Sequence, residues 1–174
     1  MANEKLSKLE WAMSQYGEAL IRLAFTYVKD IHKAEDIIQD VFLKVYEKEE
    51  QFRGDANFKT YLYRITINCC KDHLKSWSFK HLFFTNETRE DSQYSHSIEQ
   101  TMIRFEEDYE FGKQILALPV KYREILVLHY YQDYSIIEIA QMLGKSENTI
   151  YTRMRRAKEK LKSNLTVQAG DPIG

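Results

Sequence analysis

Proline and glycine are scarce in this sequence, with 2 prolines and 6 glycines in 174 residues. Because these residues interrupt helices and shape the turns between strands, their scarcity predicts an all-α chain, as do apolar residues that recur at helical spacing. No apolar run is as long as a membrane span, and the first residues, MANEKLSKLEW, lack the apolar core of a signal peptide. We therefore expect a cytoplasmic protein.

Metal-binding and catalytic motifs are also missing. The two cysteines, Cys69 and Cys70, are neighbours without the C-x-x-C spacing of a zinc site, so we expect free thiols that are buried or partly buried. The five histidines are scattered and form no i, i+4 pair. There is no glycine-rich phosphate loop, G-x-S-x-G elbow or H-E-x-x-H motif. The sequence therefore predicts no metal, no cofactor, no small-molecule substrate and no catalytic residue.

The most informative stretch is 135–161, SIIEIAQMLGKSENTIYTRMRRAKEKL. Ser135 and Glu138 have the spacing of a capping box, Gly144 stands where a helix would end in the left-handed conformation, and Ser146 is the expected N-cap of a second helix. The stretch predicts a helix-turn-helix. Its expected buried residues are Ile136, Ile139, Ala140 and Leu143 in the first helix and Ile150, Met154, Ala157 and Leu161 in the second.

The outer face of the second helix is basic. From residue 146 to 165 there are six Lys or Arg and two Glu, a local net charge of +4 in a chain whose net charge is −1. Such a concentration of positive charge is typical of a surface that binds a phosphate backbone. A capped helical hairpin with a basic face also occurs in proteins that never bind DNA, so the pattern favours DNA binding without excluding that alternative.

Three more helices are predicted in the first half, at about residues 6–30, 33–47 and 58–75. The second has acidic outer positions, which either stabilise the helix through its dipole or bind a partner. The third mixes aromatic and basic residues, which form either a core boundary or a platform for unpaired bases. Taken alone, each pattern is explained somewhat better by helix stability and packing than by binding.

An acidic stretch divides the chain. Between residues 86 and 110 there are eight acidic residues and two arginines, with little apolar periodicity before Ile98. We predict a flexible acidic linker at 84–108 that joins two small helical domains, 1–83 and 109–165, the second being the helix-turn-helix. A frayed tail is expected at 166–174.

Three segments together resemble a bacterial RNA polymerase sigma factor of the extracytoplasmic-function group, in the sigma-70 family. AEDIIQDVFLKVY (34–46) is similar to the family segment that binds the β′ clamp helices of core polymerase. FRGDANFKTYLYRITINCCKDHL (52–74) is similar to the segment that melts and reads the −10 promoter element. Residues 118–161 resemble domain four, which reads the −35 element and contacts the β flap. The segments occur in the family's order.

The resemblance implies three sets of binding residues. The core-polymerase set is Asp36, Gln39, Asp40 and Phe42. The −10 DNA set is Arg53, Asn57, Phe58, Lys59, Tyr61, Arg64, Asn68 and Lys71. The −35 DNA set is Asn148, Thr149, Tyr151, Thr152, Arg153, Arg155 and Arg156. Tyr61 stands where the family usually has Trp, and Tyr151 where some relatives have Arg, so the −35 sequence cannot be copied from relatives.

The implied function is that of an alternative sigma factor, which binds RNA polymerase core and directs it to specific promoters. Promoter DNA is the second implied partner. An anti-sigma factor, commonly membrane-bound in relatives, is the third. Two alternatives remain open at this stage. A stand-alone helix-turn-helix regulator would leave the motifs at 34–75 unexplained, and a protein that sequesters polymerase would bind core without initiating transcription.

Overall fold

The computed structural model describes residues 1–48, 57–83 and 109–169, except for the side chains of 79–83, 109–110 and 167–169. Every regular element of these residues is a helix. The chain divides into two compact units, Met1–Thr101 and Met102–Gly174. The all-α class with two helical domains is therefore confirmed, while the predicted linker at 84–108 lies outside the described residues.

The first unit contains three helices: α1 (Ala2–Val28), α2 (Ile31–Glu47) and α3 (Phe58–Phe83). α1 packs against both of the others, and α2 packs against α3. Apolar residues recur every three or four positions along α1 and α2, which gives each helix one face for the core. The fully buried core side chains include Leu20, Leu23, Ala24, Ala34, Val41 and Leu62. Their positions decide which faces of α2 and α3 remain accessible.

Local capping decides where α2 begins. α1 ends at Val28. The next residue, Lys29, has a left-handed φ of 56° and donates its backbone N–H to the carbonyl four residues earlier, at 2.8 Å. The carboxylate of Asp30 then accepts the amides of His32 and Lys33, at 3.0 and 3.2 Å. α2 begins at Ile31, two residues before the predicted start, because an N-cap stands outside the apolar pattern on which that prediction was based.

Two helices of this unit are longer than predicted. α1 begins at Ala2 and not near residue 6, and α3 continues to Phe83 and not to 75. No proline or glycine lies between 58 and 83, so the local sequence contains no residue that would end α3 earlier. Among the helices that the structure describes in either unit, none is long and apolar enough to cross a membrane.

The second unit contains α4 (Tyr109–Leu116), α5 (Val120–Leu126), a π turn (Val127–Tyr131), α6 (Ile136–Leu143) and α7 (Glu147–Ala169). α7 packs against each of the other three helices. The fully buried side chains at the centre of this unit are Ile125, Leu128, Ile139, Ile150 and Ala157. α7 also continues four residues into the segment that was predicted to be a tail.

A buried arginine joins α4 to α5. The guanidinium of Arg123 donates Nη1–H bonds to the carbonyl of Leu116 at 2.8 Å and to that of Leu118 at 3.1 Å. Leu116 is the last residue of α4, where backbone carbonyls lack partners within the helix. Hydrogen bonds from a charged donor are stronger than neutral ones, so Arg123 holds the corner between the two helices.

The π turn follows α5 directly. The Gln132 amide bonds to the Val127 carbonyl, five residues earlier, at 3.2 Å. The Tyr134 amide bonds to the Leu128 carbonyl at 3.0 Å, and Asp133 has a left-handed φ of 59°. This widened turn leads the chain into α6.

The helix-turn-helix is confirmed together with its caps. The Ser135 hydroxyl accepts the Glu138 amide at 3.2 Å, and the Glu138 carboxylate accepts the Ser135 amide at 2.8 Å. Gly144 ends α6 with a left-handed φ of 63°. The Ser146 hydroxyl accepts the Thr149 amide at 3.2 Å. Each cap satisfies backbone groups that a helix end leaves open, and together they fix where α7 starts.

Candidate functional site

The accessible face of α2 is acidic. Asp36, Gln39 and Asp40 are exposed, and the helix carries four acidic residues and two lysines, a net charge of −2. Phe42 is 4% exposed and belongs to the core, whereas Leu43 beside it is 59% exposed. Three of the four side chains assigned to core polymerase therefore lie where a partner could reach them. Phe42 supports that face from inside.

Leu43 is an addition to the predicted face. An exposed leucine among carboxylates and an amide gives the face an apolar centre with a polar surround, which is the usual composition of a protein interface. It was missed because the family motif suggests the neighbouring apolar residue, Phe42, as the polymerase contact, and a motif does not give the direction in which a side chain points.

A polar stripe runs along α3. Arg64 and Asn68 are exposed and Lys71 is partly exposed; spacings of four and three residues place them on one face. Residues 58–78 of α3 include four basic residues and one acidic residue, a net charge of +3. This face can approach DNA phosphates while the Asn68 amide offers a donor and an acceptor to a base edge.

The other members of the −10 set lie at the start of α3. Phe58 and Tyr61 are partly exposed, with ring centroids 6.5 Å apart. The side-chain oxygen of Asn57 accepts the Lys59 amide at 3.1 Å, so Asn57 caps this end of the helix. Lys59 is partly exposed, and Arg53 lies outside the described residues.

Two buried side chains of α3 have raised pKa values. Burial, and next the interaction with Tyr16, raises the pKa of Tyr63 to about 12. Burial, and next the neighbouring Cys69, raises the pKa of the Cys70 thiol to about 12, so both groups are neutral at physiological pH. The Lys44 ammonium of α2 lies 3.4 Å from the Cys69 sulfur. Both thiols are free, as expected, and in the described ranges no three His, Cys, Asp or Glu side chains are grouped to hold a metal ion.

α7 presents the −35 set on its outer surface. Its inner face is buried at Ile150, Met154 and Ala157, while Leu161 is only partly buried. From 147 to 166 the helix has a net charge of +4. All seven assigned residues are accessible: Asn148, Tyr151, Arg155 and Arg156 are exposed, and Thr149, Thr152 and Arg153 are partly exposed.

One side of α7 borders a groove of about 380 Å³. Lys121 and Tyr122, from the start of α5, form the opposite wall. The α7 wall is formed by Asn148, Thr149, Thr152, Arg153 and Arg156. Three cationic side chains and several hydroxyl and amide groups thus border one opening, and these are the groups that hold the sugar-phosphate backbone in protein–DNA complexes.

Tyr122 links the two walls of the groove. Burial acts to raise the pKa of Tyr122, but the charge of Lys121 and hydrogen bonds from Arg156 and Lys121 lower it below its ordinary value. The ammonium groups of Lys121 and Lys160 lie 5.0 and 5.8 Å from the Tyr122 ring centroid. Sequence reasoning missed Lys121 and Tyr122, because no local spacing connects α5 with α7.

Two family models match the chain. Residues 12–78 match Sigma-70 region 2, and residues 109–161 match Sigma-70, region 4. The surfaces of α2 and α3 lie in the first match, and the groove and the exposed face of α7 lie in the second.

Curated relatives match most of the chain. The ECF RNA polymerase sigma factor SigW of Bacillus subtilis (strain 168) is 28% identical over 158 residues, which cover 86% of this chain and 84% of SigW. The RNA polymerase sigma-H factor of Pseudomonas aeruginosa is 30% identical over 154 residues, which cover 83% of this chain and 79% of the relative.

Two solved structures share the fold. The sigma factor RpoE, in complex with the anti-sigma factor NepR from Bartonella quintana, matches with a TM-score of 0.73 and 22% identity over 92% of this chain and 98% of that one. CnrH, in complex with the cytosolic domain of CnrY, matches with a TM-score of 0.65 and 21% identity over 91% and 88%. From its matched regions and its relatives, the chain belongs to the sigma-70 family of RNA polymerase sigma factors, in the extracytoplasmic-function group.

Proposed function

We propose that this chain is an alternative sigma factor that binds RNA polymerase core through α2 and directs it to promoters that α3 and α7 recognise. The observation that carries the proposal is the charge of the accessible faces within the two matched regions. Within the region 2 match, α2 has a net charge of −2 and residues 58–78 of α3 have +3. Within the region 4 match, residues 147–161 of α7 have a net charge of +3. A protein partner and DNA would thus meet different surfaces.

The polymerase-binding face consists of Asp36, Gln39, Asp40 and Leu43. Its carboxylates would be repelled by DNA and attracted by a basic protein surface, which favours one partner over the other. By resemblance to the family, that partner is the β′ clamp helices. Leu43 supplies the apolar contact that becomes buried on binding.

Recognition of the −35 element divides between bases and phosphates. The exposed Tyr151 and Arg155 lie outside the groove and would meet base edges in the major groove of DNA. Lys121, Arg153 and Arg156 line the groove and would bind the phosphate backbone. Phosphate contacts position the helix, and base contacts select the sequence.

Recognition of the −10 element occurs on an opened strand. Extruding a base costs a few kcal/mol, and stacking on an aromatic ring returns about 1–3 kcal/mol per base. Phe58 and Tyr61 provide such rings at the start of α3, and Asn68 reads a base further along the helix. The activity is binding, not catalysis, and its site is the cytoplasm, where core polymerase and the chromosome are found.

Control by an anti-sigma factor completes the proposal. RpoE and CnrH were both solved with protein partners, the former with the anti-sigma factor NepR and the latter with the cytosolic domain of CnrY. We expect a partner of the same kind to occupy the faces of this chain that polymerase and DNA require. Co-purification of this chain with such a partner, released when polymerase core is added in excess, would support this control.

Run-off transcription on a pool of genomic fragments tests the function. Purified core polymerase is used with and without this protein. Discrete new transcripts that share paired −35 and −10 sequences are expected. Core binding without transcripts would favour a regulator that sequesters polymerase, and the absence of both would favour a stand-alone DNA-binding protein.

Two variants of α7 refine the test. Arg156→Ala removes one of the groove cations and should weaken promoter binding similarly for all −35 sequences. The slope of the logarithm of the binding constant against the logarithm of the salt concentration should decrease in magnitude by about 0.9. Lys162→Ala is the matched control, because Lys162 is an exposed cation of the same helix that does not line this groove. Equal effects of the two variants would contradict the assignment of the groove to DNA.

A further inference from the structure

An aromatic row crosses the first unit from α1 to α3. The Trp11 ring lies 5.9 Å from Tyr16, centroid to centroid, at an interplanar angle of 87°. Tyr16 lies 6.3 Å from Phe58, and Phe58 lies 6.5 Å from Tyr61. The row is therefore Trp11, Tyr16, Phe58 and Tyr61, and its last two members are those that we assign to the −10 strand.

The row lies at the surface and is not part of the core. Trp11 is 52% exposed, and the other three rings are partly exposed. An edge-to-face contact covers less of an indole than parallel stacking would, which agrees with the exposure of Trp11. Four neighbouring rings that all reach the surface form an aromatic patch, and a contiguous patch marks a binding surface where a single exposed ring does not.

The spacing and charge of the row fit single-stranded DNA. Neighbouring centroids are 5.9–6.5 Å apart, wider than the roughly 3.4 Å between bases of one duplex strand, so the row suits splayed bases better than stacked ones. Residues 2–16 of α1 contain two lysines and two glutamates, so their net charge is zero. A base can stack on Trp11 without a cation nearby, because the basic residues of α3 bind the phosphates of the same strand.

We propose that Trp11 and Tyr16 extend the −10 platform of α3, so that one more unpaired base of the promoter strand stacks on Trp11. The extra base is next to those held at Phe58 and Tyr61. This inference rests on the proposed function, because it requires that α3 bind the opened strand. It assigns to α1 a direct DNA contact in addition to its packing role.

The test measures how the holoenzyme, assembled with the full chain, binds fluorescent single-stranded oligonucleotides. They carry the −10 sequence found by run-off transcription, extended by none to four bases at either end. Trp11→Ala should weaken binding about tenfold, within the range for loss of one stacked base. The loss should appear only when the oligonucleotide is extended at one particular end. Trp11→Phe should retain most of the affinity.

Trp77→Ala is the matched control. Trp77 is also an exposed tryptophan, at 43%, but it lies on α3 outside the aromatic row. An abasic site at the extra position gives a second measurement that does not depend on the folding of a variant. With that DNA, the wild type should lose affinity and the difference between wild type and Trp11→Ala should disappear.

Three results would overturn the inference. One is equal affinity of wild type and Trp11→Ala for every oligonucleotide. Another is the same loss for all lengths, the shortest included. The third is a loss of core affinity alone, which would make the row a polymerase contact. If the wild-type holoenzyme binds no −10 strand at all, the proposed function fails as well. The wild-type measurement alone shows this, so it is told apart from a failure of the inference about Trp11, which requires the variant.

Discussion

Two neighbouring residues of α7 should separate the stability of the second unit from its recognition of DNA. Ile150 is fully buried on the inner face, and Tyr151 is 58% exposed on the outer one. Ile and Tyr have similar helix propensities, and both positions follow the same N-cap. Replacing each by alanine therefore compares a core side chain with a surface side chain, with little difference in the helix itself.

Burial determines the expected size of each effect. Ile150→Ala should cost about 2–5 kcal/mol, the usual loss for this change in a core. A folded unit of the size of residues 109–161 has a total stability of about 3–8 kcal/mol, so the variant loses much of it and should unfold at least about 8 °C lower. Tyr151→Ala should change the free energy of unfolding by less than about 0.5 kcal/mol.

The assay combines thermal unfolding of the full chain, followed by circular dichroism, with transcription from promoters that differ only in the −35 element. Ile150→Ala should lower the temperature of the second unit's unfolding transition by at least about 8 °C and weaken −35-dependent transcription. Tyr151→Ala should keep the transition and change the preferred −35 sequence. The reasoning fails if Ile150→Ala unfolds at the wild-type temperature, or if Tyr151→Ala lowers that temperature as much.

Four further outcomes are expected. Leu43→Asp should weaken binding to core polymerase by about tenfold or more without lowering the unfolding temperature, and wild-type affinity in a competition assay would remove Leu43 from the interface. Asn68→Ala should lose about 1–3 kcal/mol of discrimination at one −10 base pair, measured by selection from a randomised −10 library; an unchanged profile would count against this role. Asp133→Gly should raise the free energy of unfolding by about 0.5–1 kcal/mol, because glycine adopts the φ of 59° without strain, and a lower urea midpoint would contradict this. Iodoacetamide at pH 8 should modify Cys69 before Cys70, because burial raises the pKa of Cys70 to about 12; equal labelling rates by mass spectrometry would refute the burial argument. Between about pH 9 and 12 the unfolded chain loses the Cys70 proton that the folded chain keeps, so the free energy of unfolding should fall as the pH rises.

Local interactions were predictable from the sequence because they connect residues a few positions apart. The capping box of Ser135 and Glu138, the left-handed Gly144 and the cap at Ser146 each depend on a spacing of three residues or on one backbone angle. The structure contains all of them. The all-α class follows in the same way, from apolar periodicity and the scarcity of proline and glycine.

The α2 face shows where resemblance and periodicity disagree. Helical periodicity places Phe42 with Val41 and Val45, which are buried, whereas the family motif suggests Phe42 as a polymerase contact. A motif gives the residue type at a position but not the direction in which the side chain points. The structure puts Phe42 inside and Leu43 outside, and that orientation depends on how α2 packs against α1 and α3.

The groove beside α7 could not have been predicted from the sequence, because it joins residues from separate helices. Tyr122 and Arg156 are 34 positions apart, and only the packing of α5 against α7 brings them together. The predicted helix ends were also imprecise. α3 and α7 continue past their predicted last residues, because the sequence there has no proline or glycine that would end them.

The π turn at Val127–Tyr131 determines how the helix-turn-helix could vary in evolution. A π turn is equivalent to one residue inserted into an α-helix, so deleting one residue here would restore regular α-helical bonding. Each residue of an α-helix turns the chain by about 100°. A one-residue deletion would therefore turn the point at which the chain leaves the helix by about that angle, and the connection at 132–135 would have to rearrange to keep α7 packed against α5. We expect this segment to tolerate substitutions far better than changes in length, so chain length is the property of the turn that selection should preserve.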